Sequence, residues 1–392
     1  IKFNDFIIKD FIDKNKILGE VENVEINISL YNLHDKQRFD FTKINLINAQ
    51  INFDLEKFDK YKDFSKKKFN TKPISLKKGV IKFYEGKKNI AVIKNANFKF
   101  TPSENIDKAT LKGGFLGDKI YISFENKKND NKPSKTFILK LFDFKLFTKI
   151  NIFNSNLDKN IISGDILFKE KRNRISAMFD YKDNRIIVKK ANLRNFFANG
   201  QFNGEIRILP YFNFDLNLDL ERINFNKLYN FLVGLDEKNK KNLFKVNKKI
   251  NGQLHLSADK IFSKRTLIDS FESRIKFING NILIEQLLLN LGKLGAADIT
   301  GIIKNNKKFS NFKFENNIFV DNLKRFYNKF GIFNKQNISS NLFISGNFDL
   351  VNLRLRLDEI SDDKKFKDED VAYFEKEFND YFLEYENNEV SI

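Results

Sequence analysis

The stretch FNFDLNLDLE, Phe212 to Glu221, sets an apolar side chain at every second position and Asn, Asp or Glu between them. A β-strand turns successive side chains to opposite faces. Phe212, Phe214, Leu216, Leu218 and Leu220 therefore form one apolar row, and Asn213, Asp215, Asn217, Asp219 and Glu221 a solvated one. At about 3.3 Å per residue the row runs roughly 33 Å, longer than a usual strand, so something equally long has to lie against it.

The same alternation recurs along the chain: in VEINISL from Val24, in NAQINFDL with Ile51 and Phe53, in FILKL with Leu139 and Leu141, in IKFINGNILI with Ile282 and Ile284, and in NLRLRLDE with Leu353, Leu355 and Leu357. Asn, Asp, Gly and Lys clusters such as ENKKNDNKPSK separate these segments. One-faced strands joined by polar turns predict a mainly β protein with a mostly antiparallel sheet, since parallel strands covered on both sides read as unbroken apolar runs. Helical spacing is limited to Leu55, Phe58 and Tyr61; to Leu228, Phe231, Leu232 and Leu235; and to Leu323, Phe326, Tyr327 and Phe330, with Gly331 as a stop. DEDVAYFEKEFNDYFLEYE is the one longer amphipathic helix, with Val371, Phe374, Phe378, Tyr381, Phe382 and Tyr385 on one face, and is expected to plug or flank the sheet.

A weak internal repeat aligns residues 187–232 with 282–327: strand, Gly-marked turn, strand, alternating strand, short helix, with Gly204 matching Gly301 and Leu228 approximately matching Leu323. The expected organisation is a β region over 1–130, a β-groove region over 131–357 that carries the repeat, and an acidic helical tail over 358–392.

Composition narrows the chemistry. Seventy Lys and Arg against 51 Asp and Glu leave a net charge of +19. That excess accompanies heavy use of Lys, Asn, Ile and Phe, the usage of an AT-rich coding sequence, and Lys in place of Arg argues against base readout; nucleic-acid binding ranks last. Cysteine is absent, which excludes disulfides and thiol chemistry, whereas 45 Phe supply ample apolar surface to bury. No apolar run approaches a membrane-spanning length. His34 and His255 are far apart; His255 in GQLHLSAD falls on the face opposite Leu254 and Leu256 and reads as a solvent-side residue. GGFLG at Gly113 to Gly117 lacks the context of a dinucleotide fingerprint and reads as a strand-edge turn. Basic clusters at Ser65 to Phe69, near Arg172 and near Lys240 are expected in turns, as solubilising loops, with contact to anionic headgroups the minority reading. No catalytic, cofactor or metal constellation emerges, and the expectation is a non-enzyme. A sugar-processing β-solenoid would need convergent acids on a concave polar face, which the alternating pattern does not single out.

Much one-sided sheet with little helix leaves two arrangements: a sandwich filled by its own side chains, or an open trough whose apolar face is left for another substance. Here the residues take on a likeness. ISLKKGVIKFYEGKKNIAVIKNANFKF, Ile74 to Phe100, resembles the AsmA-like pattern of a strand, a Gly-started strand with an aromatic, a polar turn and a strand ending in an I-x-N-x-x element. KGGFLGDKIYISF, Lys112 to Phe124, looks like its continuation, and Ile175 to Leu228 is similar to that family's C-terminal region, as is the later repeat to about Tyr327. The resemblance implies an envelope protein of Gram-negative bacteria, periplasmic and tethered to the inner membrane by an N-terminal helix outside this chain. It implies a long, curved β-groove, U-shaped in section, which binds phospholipid acyl chains in lipid transport between inner and outer membrane, as in the TamB and YhdP types. It carries over no catalytic residues. The expected groove-lining residues are Phe212, Phe214, Leu216, Leu218, Leu220, Ile51, Phe53, Leu139, Leu141, Ile282 and Ile284. The alternative is a non-conducting outer-membrane assembly scaffold that recruits protein partners through its sheet edge.

Overall fold

A computed structural model describes residues 1–10, 16–28, 41–57, 72–128, 134–154, 161–207, 212–263, 267–304, 311–329, 333, 335–362 and 364–387. Strands dominate it: 22 belong to one open, mostly antiparallel sheet. The chain divides into two units, Ile1–Met178 and Phe179–Ile392. The first holds β1 (Lys2–Lys9), β2 (Ile17–Ile28), β3 (Phe41–Asp54), β4 (Ile74–Glu85), β5 (Lys88–Thr101), β6 (Ile106–Phe115), β7 (Asp118–Lys127), β8 (Ser134–Leu141), β9 (Leu146–Asn154) and β10 (Ile162–Glu170); β11 (Asn173–Lys182) contains the division point. The second holds β12 (Arg185–Arg194), β13 (Ala198–Arg207), β14 (Asn213–Asn224), α1 (Phe225–Val233), α2 (Glu237–Leu243), β15 (Asn251–Ala258), β16 (Ile261–Phe262), β17 (Ser270–Ile278), β18 (Asn281–Asn290), β19 (Gly295–Ile303), β20 (Asn311–Val320), α3 (Leu323–Lys329), β21 (Ser340–Asp349), β22 (Arg354–Ser361) and α4 (Asp368–Asn387).

Tight hairpins make most ladders antiparallel. Asp183 and Asn184 both take positive φ between β11 and β12, as do Asn279 and Gly280 between β17 and β18. Such turns match the right-handed twist of the strands they join. The ladders β3–β4, β14–β15 and β14–β16 are parallel, and two of these partnerships follow from longer connections that return the chain to its starting end. For β14–β15 the return path includes α1 and α2.

Bulges shift the alternation inside the first unit. Asn48, Lys78 and Asn95 all adopt left-handed backbone within β3, β4 and β5. In β3 this moves the apolar parity from Ile44 and Leu46 to Ala49, Ile51 and Phe53, so that both halves of the strand face one core. That core centres on Val21, Val24, Ala49, Leu76, Ile81, Ile93, Ala96 and Ile120. At one margin Asp118 is buried and accepts the backbone N–H groups of Asp143 and Phe144, at 2.9 and 3.2 Å, which pins the turn between β8 and β9. Burial alone would raise its carboxyl; the backbone donors outweigh it and hold the group below the usual carboxylate range.

In the second unit two clusters of buried residues lie at one end of the strands, while Ile303 and Val351 are buried towards the other. Leu220, Ile223, Ala198 and Ala258 form one cluster, packed by Leu228 of α1. Ala297, Ile318, Val320 and Leu342 form another with Leu323 and Phe326 of α3. The two strand triplets β12–β13–β14 and β18–β19–β20 are each followed by a helix, and Gly204 faces Leu216 as Gly301 faces Phe314.

Several expectations change at this level. Phe212 precedes β14, which extends beyond Glu221 to Asn224. In α1 the buried side chain is Tyr229, while Phe231 is 40% exposed with its ring against those of Phe196 and Phe197. The lysine-rich segment near Lys240 is helical because Asp236 caps it: its carboxylate accepts the Asn239 N–H at 2.7 Å, satisfying a donor of the first turn. Leu55 begins a single 3-10 turn, Leu55–Lys57; Phe58, Tyr61, the cluster Ser65 to Phe69, His34, Phe330 and Gly331 lie outside the described residues. In α4 Val371 is buried and Phe378 exposed, and the side chains of Tyr381, Phe382 and Tyr385 lie outside the description.

Candidate functional site

In a sheet, directly opposed residues share a face, so register identifies which side chains stand together. In the first unit Ile26, Ile44, Ile74, Phe100, Ala109 and Phe124 are successive partners, and the row continues through Phe137, Ile150 and Ile166. It crosses nine strands without a polar side chain. A parallel row runs through Phe3, Val24, Leu46, Leu76, Phe98 and Leu111 to Ile122 and Leu139. Ile51 and Phe53 pair with Ile81 and Phe83, with the two rings stacked 5.9 Å apart, and Leu141 pairs with Ile120. Ile51, Phe53, Leu139 and Leu141 thus pack against the core of this unit and are all half-buried.

The second unit is organised the same way. Ile186, Ile206, Phe214, Gly252, Phe277 and Ile282 are successive partners, followed by Ile303, Phe312, Phe348 and Leu355, a row of ten strands. The next row runs through Leu216, Leu254, Ile275 and Ile284. Phe214, Leu216, Leu218, Leu220, Ile282 and Ile284 consequently share one face, and the Phe214 ring lies 6.2 Å from that of Phe212 and 5.3 Å from that of Phe277.

Glycine shapes this surface in two places. A Cβ on Gly252 would come within 2.6 Å of the Phe214 ring, and one on Gly301 within 2.5 Å of the Phe312 ring. Each ring therefore occupies the space that a side chain on the glycine would fill. Sequence reading gave these glycines no role of this kind; the ladder sets Gly252 directly opposite Phe214 and Gly301 directly opposite Phe314, a pairing that only the register reveals.

Coverage grades along the strands. In β14 Leu220 is 5% exposed and Leu218, Leu216 and Phe214 are half-buried; Phe212, just before the strand, is 40% exposed. β20 repeats the gradient: Val320 and Ile318 are buried, Phe314 and Phe312 half-buried. The covered end is the one packed by α1 and α3. Asn316, between Ile299 and Ile344, is a polar interruption whose buried Oδ1 lacks a hydrogen-bond partner among the described residues.

The opposite face is polar and internally bonded. Asn217 donates to Asn203 at 3.1 Å, Gln286 donates to Asp298 at 3.2 Å, and Ser257 donates to Asp219 at 2.8 Å. His255 stands in this face between Asn217 and Arg274. In the first unit Lys108 pairs with Glu125 at 2.6 Å, a hydrogen-bonded contact that raises the ammonium above its ordinary value. Thr136 donates to Asn151, which donates to Asp165, along the same ladder. At the β21–β22 turn burial works to raise the Asp349 carboxyl, but the Asn352 N–H and amide and the Val351 N–H, with the charge of Lys241, hold it below its usual range. Lys241 of α2 therefore lies near the Phe348–Leu355 end of the apolar row.

The sheet edges differ. Among the described residues β1 pairs with β2 alone, and Phe3 and Phe6 are exposed on it. β22 pairs with β21 on one side and with α4 on the other: Asn379 accepts the Leu355 N–H and donates to the Leu355 carbonyl, both at 2.8 Å, and Glu375 accepts the Leu357 N–H at 2.9 Å. Two side chains one helical turn apart thus stand in for a neighbouring strand.

No group of three or more potential metal ligands occurs among the described residues, and no helix there is long and apolar enough to cross a membrane. No family model matches the sequence, and no match to it is found among curated proteins.

Proposed function

We propose that the apolar sheet faces hold the acyl chains of phospholipid, and that the protein is a lipid-handling component of a bacterial envelope rather than an enzyme. The observation that carries this reading is the ten-strand row through Phe214, Phe277 and Ile282, apolar throughout and half-covered over most of its length. A face meant only to pack against its own chain is covered, as Leu220 and Ile318 are. From Leu218 to Phe212 the half-covered to exposed portion runs roughly 20 Å, the scale of a fatty acyl chain. Each methylene moved from water onto such a surface contributes about 0.8 kcal/mol, and a row of similar side chains offers similar energies at successive positions, so a chain is held yet can slide. The resemblance of Ile74 to Phe100 and of Ile175 to Leu228 to the AsmA-like pattern supports the same assignment, with a periplasmic location, an anchor in the inner membrane and traffic towards the outer membrane. Solvent extraction and mass spectrometry of the purified protein test it: stoichiometric phospholipid is expected, and Leu216→Asp should lose it while keeping the β-sheet circular dichroism signal. Retention of full lipid by that variant would count against the proposal.

The outer edge of β1, unpaired among the described residues and with Phe3 and Phe6 exposed, favours a second reading as an assembly scaffold that adds a partner strand there. Lipid-free protein that binds an outer-membrane assembly partner through β1 would support it.

A further inference from the structure

Because β14 and β15 are parallel, the chain leaving Asn224 must travel back along β14 before it can enter the sheet at Asn251, beside Asn213. At about 3.3 Å per residue this is a return of roughly 36 Å. The path, residues 225–250, delivers its last segment to the end of the sheet where Phe212 is exposed and the apolar row least covered.

Its composition changes on the way. Lys238, Lys240, Lys241, Lys245, Lys248 and Lys249 fall within twelve residues, preceded by Asp236 and Glu237. Asp236 caps α2 and Glu237 pairs with Lys241. Lys238, Lys245, Lys248 and Lys249 are exposed and form no ion pair with a described residue. Among them Leu243 is 52% exposed. Point charges on flexible stems around a projecting leucine suit a phosphate-bearing interface better than a base edge, where planar Arg and stacking aromatics are the usual readers.

We propose that this crossover receives anionic lipid headgroups, with Lys245, Lys248 and Lys249 as principal contacts, so that anionic phospholipid enters from a bilayer surface at the uncovered end of the apolar rows. The inference rests on the reading of those rows as acyl-chain sites and adds a headgroup preference to it. The two ends of an amphiphile then meet matched chemistry: methylenes against Phe212 and Phe214, the negative headgroup against lysine.

Vesicle flotation of the full chain tests it, using phosphatidylcholine alone or mixed with phosphatidylglycerol. Binding is expected only with phosphatidylglycerol and should weaken with salt. A basic residue near such a surface contributes about fivefold in affinity, so Lys245→Gln, Lys248→Gln and Lys249→Gln together should weaken binding roughly a hundredfold. Lys87→Gln, Lys88→Gln and Lys94→Gln, three exposed lysines of the β4–β5 hairpin, should leave it nearly unchanged. Equal losses in the two triple variants, or indifference of the wild type to phosphatidylglycerol, would overturn the inference. So would a first triple variant that loses retention on duplex DNA while floating normally. The two readings fail separately: lipid extracted without headgroup preference sinks this one alone, whereas lysine-dependent flotation of a protein that carries no extractable lipid keeps this one and sinks the acyl-chain site.

Discussion

Leu220 and Leu216 stand on the same strand and the same face, four residues apart, yet one is sealed and the other is not. Leu220 lies in a cluster with Ile223, Ala198 and Ala258, under Leu228 of α1; Leu216 is half-buried in the open sheet. The strands of the repeat make the same distinction again between Ile318, covered by α3, and Phe314. One alternating pattern thus has two outcomes: where a helix returns over the strand the apolar row becomes core, and at Leu216 and Phe314 it stays half-buried. The lesson is that strand alternation specifies a face, and the connections decide what that face is for.

Truncation should separate the two ends by the widest margin. Leu220→Ala removes side-chain atoms from a packed cluster and is expected to cost about 3 kcal/mol, whereas Leu216→Ala, with solvent able to occupy the space, should cost within about 1 kcal/mol. Chemical denaturation of both variants measures the contrast; equal losses would mean the Leu216 region is packed as core. A smaller effect is expected at the edge of β22. Asn379→Ala removes both hydrogen bonds to Leu355, which should cost about 1–2 kcal/mol and, by baring backbone donors and acceptors, promote self-association visible by light scattering. Unchanged stability and a monodisperse variant would show that the helix is not what keeps this edge from pairing.

Much of this was legible in the residues. FNFDLNLDLE announces a one-faced strand because side-chain direction follows directly from the extended backbone, and the mainly β, mostly antiparallel sheet follows from its recurrence. The parallel β14–β15 ladder was not legible: the strand itself reads the same with either partner direction, and only the path through α1 and α2 fixes it. Nor were the bulges at Asn48, Lys78 and Asn95, although the change of apolar parity between Leu46 and Ala49 is their trace. DEKNKKN reads as a turn from its polarity, but Asp236 as a cap converts it to helix. In the C-terminal helix the polar positions Glu375 and Asn379 look like a solvated face; they work at the sheet edge, because an unpaired strand offers them backbone groups to bond. As for the candidate site, register brings Phe214, Leu216, Ile282 and Ile284 together from separate segments, which alternation within each segment could not do.

Photo-crosslinking with a phosphatidylglycerol that carries a diazirine near the acyl terminus addresses the apolar face itself. The account predicts label on the peptides of Phe212 to Leu218 and Phe312 to Phe314, absent from the polar face around His255 and from the helix-covered Leu220 and Val320. Label confined to the covered clusters or spread equally over both faces, or none at all under conditions where the lipid is bound, would contradict it.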